Sequence, residues 1–366
     1  MKEEIEKKEV SETSLDTRCP ACNSSITFNP TEQKWKCEYC GSSFTVEEMQ
    51  QHQNSSSEKN NQKQETSKAE DPGLYISYKC QSCGAEILAD EQTAATFCVY
   101  CGNTAILKSK LDGVFAPDCI IPFKKTKEDA IEAFKKINKG KPLMPKFFNK
   151  ESNIEKVKGI YIPFWLYNVN VEGEVHIKGT NTTSWISGDM RYTKTETYDK
   201  KRDGTVVFKR IPVDGASRFS NDIMNTIEPF DYNELIKYNH AYLSGFYAER
   251  YDEEGDKLFK EVGDRAKVTA TELMVSDGRR YETERIVSNT LTPQATNREY
   301  ALLPVWMVNI KFNGKMHTFA MNGQTGEFVG NIPISKSKFI MFSVIYIIIF
   351  AALALLLSFI FFSMGG

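Results

Sequence analysis

The sequence predicts an α+β protein, on three observations. A four-cysteine pattern occurs twice, a strand–turn–strand segment is duplicated, and a long charge-free apolar run lies near the C-terminus. The 366 residues are enough for two or three domains, and a net charge of −2 gives no general electrostatic reason to bind nucleic acid. Residues 1–16 are polar and charged, with no apolar run after Met1–Lys8, so the expectation is a disordered tail and no signal peptide.

Eight of the nine cysteines form the repeated pattern. Cys19 and Cys22 precede Cys37 and Cys40, and Cys80 and Cys83 precede Cys98 and Cys101, with fourteen residues between the pairs in both copies. Two cysteines separated by two residues share a tight turn and aim both sulfurs at one ion. Two such turns facing each other make a closed tetrahedral site, so all eight are expected to ligate two structural Zn2+ ions. Asn23, Gly41, Gly84 and Gly102 follow the pairs, where positive φ is needed. Short strands are expected at Ile26–Phe28, Trp35–Lys36, Glu86–Leu88 and Ala95–Phe97. The segments 17–46 and 76–112 thus resemble zinc ribbons. A redox dithiol is the competing reading, but no βαβ context surrounds either pair, and an iron–sulfur cluster remains open. Cysteines used as ligands rather than as a disulfide framework imply a reducing compartment.

Between the ribbons, residues 47–75 are nearly free of apolar side chains and read as a flexible linker that lets ribbon one range roughly 25–30 Å. His52 there is read as solvated. The region 113–335 reads as an α+β domain on an antiparallel sheet. Thr126 and Asp129 form a capping box for a helix over 127–139, with Ala130, Ile131, Phe134 and Ile137 on one face and Gly140, Pro142 and Pro145 beyond it. Pro163–His176 matches Pro304–His317, with Pro, Trp, Asn, Gly and His at identical offsets. Each copy is read as a hairpin turning at its glycine, with the Trp in a core. The two histidines are weighed as a metal pair and set aside, because Lys315 stands where Glu174 precedes His176. Between the copies, Arg191–Tyr198 reads as an exposed strand, and Asp203-Gly204 as a turn into Thr205–Ile211. Helices are expected over 219–227 and 256–274, the latter facing inward with Leu258, Val262, Ala266 and Leu273. A strand at 283–291 and a turn at 323–326 complete the domain.

Phe339–Phe362 is a charge-free apolar run of twenty-four residues, long enough to cross a bilayer as a helix. Lys336 and Lys338 precede it and only four residues follow, so the expected protein is single-pass in the cell membrane with its N-terminal bulk in the cytoplasm.

No nucleophile elbow, Walker loop, H-E-x-x-H or dinucleotide fingerprint occurs, and the expectation is no enzyme. Cys119, in an apolar stretch, is read as a structural thiol. Neither ribbon is basic: Arg18, Lys34 and Lys36 face Glu32, Glu38, Glu47 and Glu48, and Lys79, Lys108 and Lys110 face Glu86, Asp90, Glu91 and Asp112. Trp35, Tyr39 and Tyr100 are weighed as exposed rings that stack bases, pack the ribbons or meet a protein, and protein recognition is favoured.

Beyond the ribbons, the chain resembles a bacterial family of membrane-anchored, transcription-factor-type zinc-ribbon proteins, including the YdjG-type proteins of Gram-positive bacteria. The residues carrying the resemblance are the second ribbon, Ile121-Pro122-Phe123, Pro163-Phe164-Trp165, Tyr242–Glu249, Asn322–Glu327 and the C-terminal span. It implies a scaffold that recruits phage-shock-type and SPFH (flotillin-like) membrane proteins. The expected function is therefore a non-enzymatic membrane scaffold, the alternative being a membrane-associated nucleic-acid-binding ribbon protein.

Overall fold

The computed structural model describes residues 12–13, 17–57, 76–80, 86–89, 92–98, 104–107, 111, 115–139, 143, 145, 157–276, 278, 280–330 and 333–364. The elements run β1 (Glu12–Thr13), β2 (Thr27–Asn29), β3 (Lys34–Lys36), β4 (Ser43–Phe44), α1 (Val46–Ser57), β5 (Ile76–Lys79), β6 (Glu86–Ala89), β7 (Thr93–Phe97), β8 (Thr104–Ile106) and β9 (Cys119–Ile120). They continue through α2 (Lys127–Lys139), β10 (Lys158–Ser187), β11 (Met190–Asp214), α3 (Asn221–Thr226), β12 (Ile236–Lys237) and β13 (Tyr247–Glu249). The last are α4 (Gly255–Ser276), β14 (Thr283–Asn289), β15 (Thr292–Phe312), β16 (Lys315–Asn322), β17 (Phe328–Gly330) and α5 (Lys336–Met364).

The fold is α+β, built on a mixed sheet rather than the expected antiparallel one. Among the described residues the main sheet has eleven strands, and β10 pairs parallel with β13, as β15 does with β9. Its spine is β10 against β15, antiparallel from Lys158↔Met307 to Glu172↔Thr292. Residues 161–167 are buried on both faces, so alternate side chains feed two cores. Tyr161, Trp165 and Tyr167 face one, with Val262, Ala266 and Ala270 of α4 and Phe134 of α2. Ile162, Phe164 and Leu166 face the other, with Met224, Ile227 and Phe230.

Helix α2 falls where the capping box puts it. The Thr126 amide donates to Asp129 Oδ2 at 2.8 Å, and the Asp129 amide donates to Thr126 Oγ1 at 3.1 Å. In α4 the buried face is Val262, Ala266, Ala270 and Met274, whereas Leu273 is 50 % exposed, a correction of one position in the expected stripe.

The duplicated segment departs from expectation in one copy. The second is a hairpin, β15–β16, turning at Asn313-Gly314 (φ 50° and 76°). The first runs straight through Gly173, and β11 runs straight through Asp203-Gly204, neither of which turns. Gly173 instead faces Gly204 across the ladder, and the chain reverses at Gly188, between Ser187 and Met190. The result is a long arm, whose outer part carries exposed Trp185, Ile186, Met190 and Tyr192. Both repeat tryptophans are nearly buried and donate Nε1–H to backbone carbonyls, Trp165 to Glu253 and Trp306 to Lys125, each at 2.9 Å.

Two segments expected to lack structure are partly ordered. Glu12–Thr13 pairs parallel with β5, and the head of the expected linker is helix α1, whereas 58–75 and the rest of the tail lie outside the described residues. Helix α5 is long and apolar enough to cross a membrane, and none of its span from Lys336 to Leu357 is buried by the rest of the chain.

Candidate metal centre

Two short loops set the first four cysteines. The Asn23 amide donates to the Cys19 carbonyl at 2.8 Å and the Gly41 amide to the Cys37 carbonyl at 2.9 Å. The Cys19 amide then reaches Ser24 O at 2.8 Å, and the Cys37 amide reaches Ser42 O at 2.9 Å. Asn23 (φ 62°) and Gly41 (φ 74°) both take the left-handed conformation that closes the turn, as their positions predict. The two loops are thus copies of one another, held face to face by the β2–β3–β4 sheet.

Their sulfurs converge. Cys19 Sγ lies 3.6 Å from Cys40 Sγ, Cys22 Sγ lies 3.6 Å from Cys37 Sγ, and all four are within 4.8 Å of one another. Sulfurs at about 2.3 Å from a central ion in a tetrahedron are about 3.8 Å apart, so the set fits a four-thiolate metal. Ser42, whose Oγ is 3.3 Å from Cys40 Sγ, draws that thiol down to about 6 by its hydroxyl and then its amide. The Ser24 amide and hydroxyl lower Cys22, while burial pushes Cys19 up to about 12. Ser24 and Ser42 adjoin the cluster, and the cysteine pattern alone does not single them out. Their signal is a shared offset of two residues after Cys22 and Cys40, which Ala85 and Asn103 do not repeat after Cys83 and Cys101.

The second set is not assembled among the described residues. Cys80 and Cys98 are buried with Tyr78, Ala89, Ala105 and Leu107, whereas Cys83 and Cys101 lie outside them. One four-cysteine cluster is therefore present among the described residues, where two were expected. Strands β7 and β8 of that region join the main sheet through β13.

Ribbon one does not hang free as the linker reading expects. Trp35, 1 % exposed, packs at 5.0 Å from Phe28 and 4.9 Å from Tyr242, and its Nε1–H donates to Ala241 O at 2.9 Å. The Phe28 amide donates to Ser244 O at 3.1 Å, and Gln33 Nε2 donates to Phe123 O at 2.8 Å. Trp35 is thus no exposed stacking ring, Tyr39 is 83 % exposed, and Tyr100 lies outside the described residues.

The remaining candidates do not converge on chemistry. His176 lies 3.1 Å from Asp199, and His317 lies beside Phe312. Cys119 is half-buried in β9, its thiol pushed up to about 12 by burial and then by Glu299 and Asp118, which keeps it protonated at neutral pH.

Over 314 residues the chain is 31 % identical to the uncharacterized protein YdjG of Bacillus subtilis (strain 168), a match covering 72 % of this chain and 92 % of that protein. No protein-family model and no solved structure matches.

Proposed function

The chain belongs to the family that includes YdjG of Bacillus subtilis, and we propose that it is a non-enzymatic membrane-anchored scaffold whose zinc ribbons recruit protein partners to the membrane. The observation that carries this reading is the closed four-thiol cluster on a domain that ends in the apolar helix α5. A catalytic zinc keeps one position open for water or substrate, and four cysteines leave none. Zinc, when bound, supplies a fixed cross-link between the two loops. Ser24 and Ser42 steady the thiolates that hold it, and Cys80, Cys83, Cys98 and Cys101 are assigned a second ion. The transcription-factor-type ribbon class belongs to the same proposal and rests on the cysteine spacing.

Lys336 and Lys338 favour the cytoplasmic side for the preceding domain, where reduced thiols persist. Tyr39 on the outer loop of ribbon one and the apolar tip of the β10–β11 arm offer contact surfaces. The resemblance to YdjG-type proteins adds the partner class, SPFH (flotillin-like) or phage-shock-type membrane proteins. Affinity capture from membranes tests this, comparing the intact chain with Cys37→Ser/Cys40→Ser. Recovery of such a protein only with the intact ribbon is the expected result. Equal recovery with both forms, or recovery of nucleic acid in its place, would overturn the recruiting role.

A further inference from the structure

We infer that the four-cysteine cluster works as a latch: metal in it holds ribbon one closed on the Tyr242–Phe246 segment, and loss of metal uncovers that segment. The inference rests on the metal reading proposed above.

Ribbon one is too small to stand by itself. Strands β2 and β3 have three residues each, and a hairpin of that size is marginal in water. Its two largest apolar side chains, Phe28 and Trp35, are buried against Tyr242 and Ala241, not only within the ribbon. At its base Cys22 precedes β2 and Cys37 directly follows β3, and the sheet adds to the hairpin the two-residue strand β4. A metal bridging those loops sets the angle at which Trp35 and Gln33 meet the domain. Four unbridged thiols supply no comparable constraint, so metal binding and ribbon folding are one equilibrium.

The receiving segment passes the contact onward. Phe246 stacks on Phe123 at 4.1 Å with an interplanar angle of 6°, and its ring lies 6.0 Å from that of Trp306 in the second repeat. The Gly245 amide donates to Thr104 Oγ1 at 2.9 Å, which ties the same segment to β8 of the second cysteine region. Undocking of ribbon one therefore acts on three parts at once: an aromatic patch around Tyr242, the Phe123–Trp306 packing, and β8. A change of metal occupancy at the rim is thereby converted into exposure of apolar surface, the kind of surface that protein partners read.

The test is hydrogen exchange by mass spectrometry on the full chain in lipid nanodiscs, with zinc content measured on the same samples. Three forms are compared: intact, Cys37→Ser/Cys40→Ser, and Trp35→Ala, which keeps all four ligands but removes the docked ring. Exchange across residues 241–246 is expected to accelerate by about tenfold or more in both variants. Trp35→Ala should retain its zinc, and the β10–β15 ladder should stay protected in all three. If Cys37→Ser/Cys40→Ser loses zinc yet protects 241–246 like the intact chain, the latch is overturned and the metal reading stands. If the intact chain carries no metal on these cysteines, both fall.

Discussion

Two residues at matching places in the repeat carry opposite chemistry. Asn322 pairs with Val305, and Asp214 pairs with Phe164, each one residue before the repeat's Trp. In both, the next residue is a glycine whose amide donates to the repeat proline's carbonyl: Gly323 to Pro304 at 2.8 Å and Gly215 to Pro163 at 2.9 Å. Asn322 is fully used, donating to Ile227 O and Pro229 O and accepting from the Gln324 and Thr325 amides. Asp214 is 1 % exposed, and among the described residues neither of its carboxylate oxygens has a hydrogen-bond partner. Burial pushes its carboxyl up to about 6, with Glu253, Glu261 and Asp252 adding to the shift, and burial pushes nearby Glu228 up to about 7 against the pull of Arg265. A carboxyl whose folded pKa lies above its unfolded value stabilises fully below about pH 4, and that contribution is lost as pH rises through the folded pKa. Stability should therefore fall between about pH 4 and pH 7. Asp214→Asn should flatten the lower part of that fall and raise stability at pH 8 by about 1–2 kcal/mol, after allowance for solvent screening. Thermal melts of the detergent-solubilised chain across pH 4–8 check this. A variant that melts lower at pH 8, or that keeps the full pH slope, would show that Asp214 is charged and held by its neighbours.

At the scale of elements, the two hairpins separate what the sequence displays from what it hides. The repeat itself, the burial of Trp165 and Trp306, and helix α2 with its capping box are all local signals, and all are legible. The turn of the first copy is not. A glycine in a strand and a glycine in a turn look alike, and the deciding residue is the one before it. Asn313 tolerates φ 50° and lets the chain reverse, whereas Glu172 stands at that offset in the first copy and Gly173 stays in the ladder opposite Gly204 at φ 142°, a positive value that glycine takes readily. Cysteine spacing likewise reveals the two cysteine loops that converge but not the docking of ribbon one, since Trp35 meets Ala241 across 206 positions. Such a contact has no period and no motif. Beyond Thr180 the arm leaves the cover of β14, and Trp185 stacks on its cross-strand partner Tyr192, at 5.8 Å. Replacing Ser184–Thr193 by Asn-Gly, so that Thr183 and Lys194 flank a tight turn, should change stability by less than about 0.5 kcal/mol. A loss above about 2 kcal/mol in denaturant melts would mean that the tip supports the fold rather than standing clear of it.

For the whole molecule, strand register sets the anchor and the arm at opposite ends. Gly330 of β17 pairs with Phe319, which pairs with Val308, one place past the Met307↔Lys158 pair at the start of β10. The arm reverses after Ser187, about 95 Å farther along the same strand at about 3.3 Å per residue. Helix α5 leaves from the first end, and none of its apolar residues from Phe339 to Leu357 is buried by the domain. Lipid is the medium that accepts such a surface, and among the described residues neither core nor the four-cysteine cluster takes a side chain from α5. A chain ending at Ser335 should therefore remain folded, keep the zinc of ribbon one and leave the membrane fraction. The full chain should stay with membranes through an alkaline wash. Circular dichroism, zinc content and fractionation of the two forms decide it. A shortened chain that unfolds would make α5 part of the domain, and one that still pellets with membranes would place a second membrane contact elsewhere on the sheet.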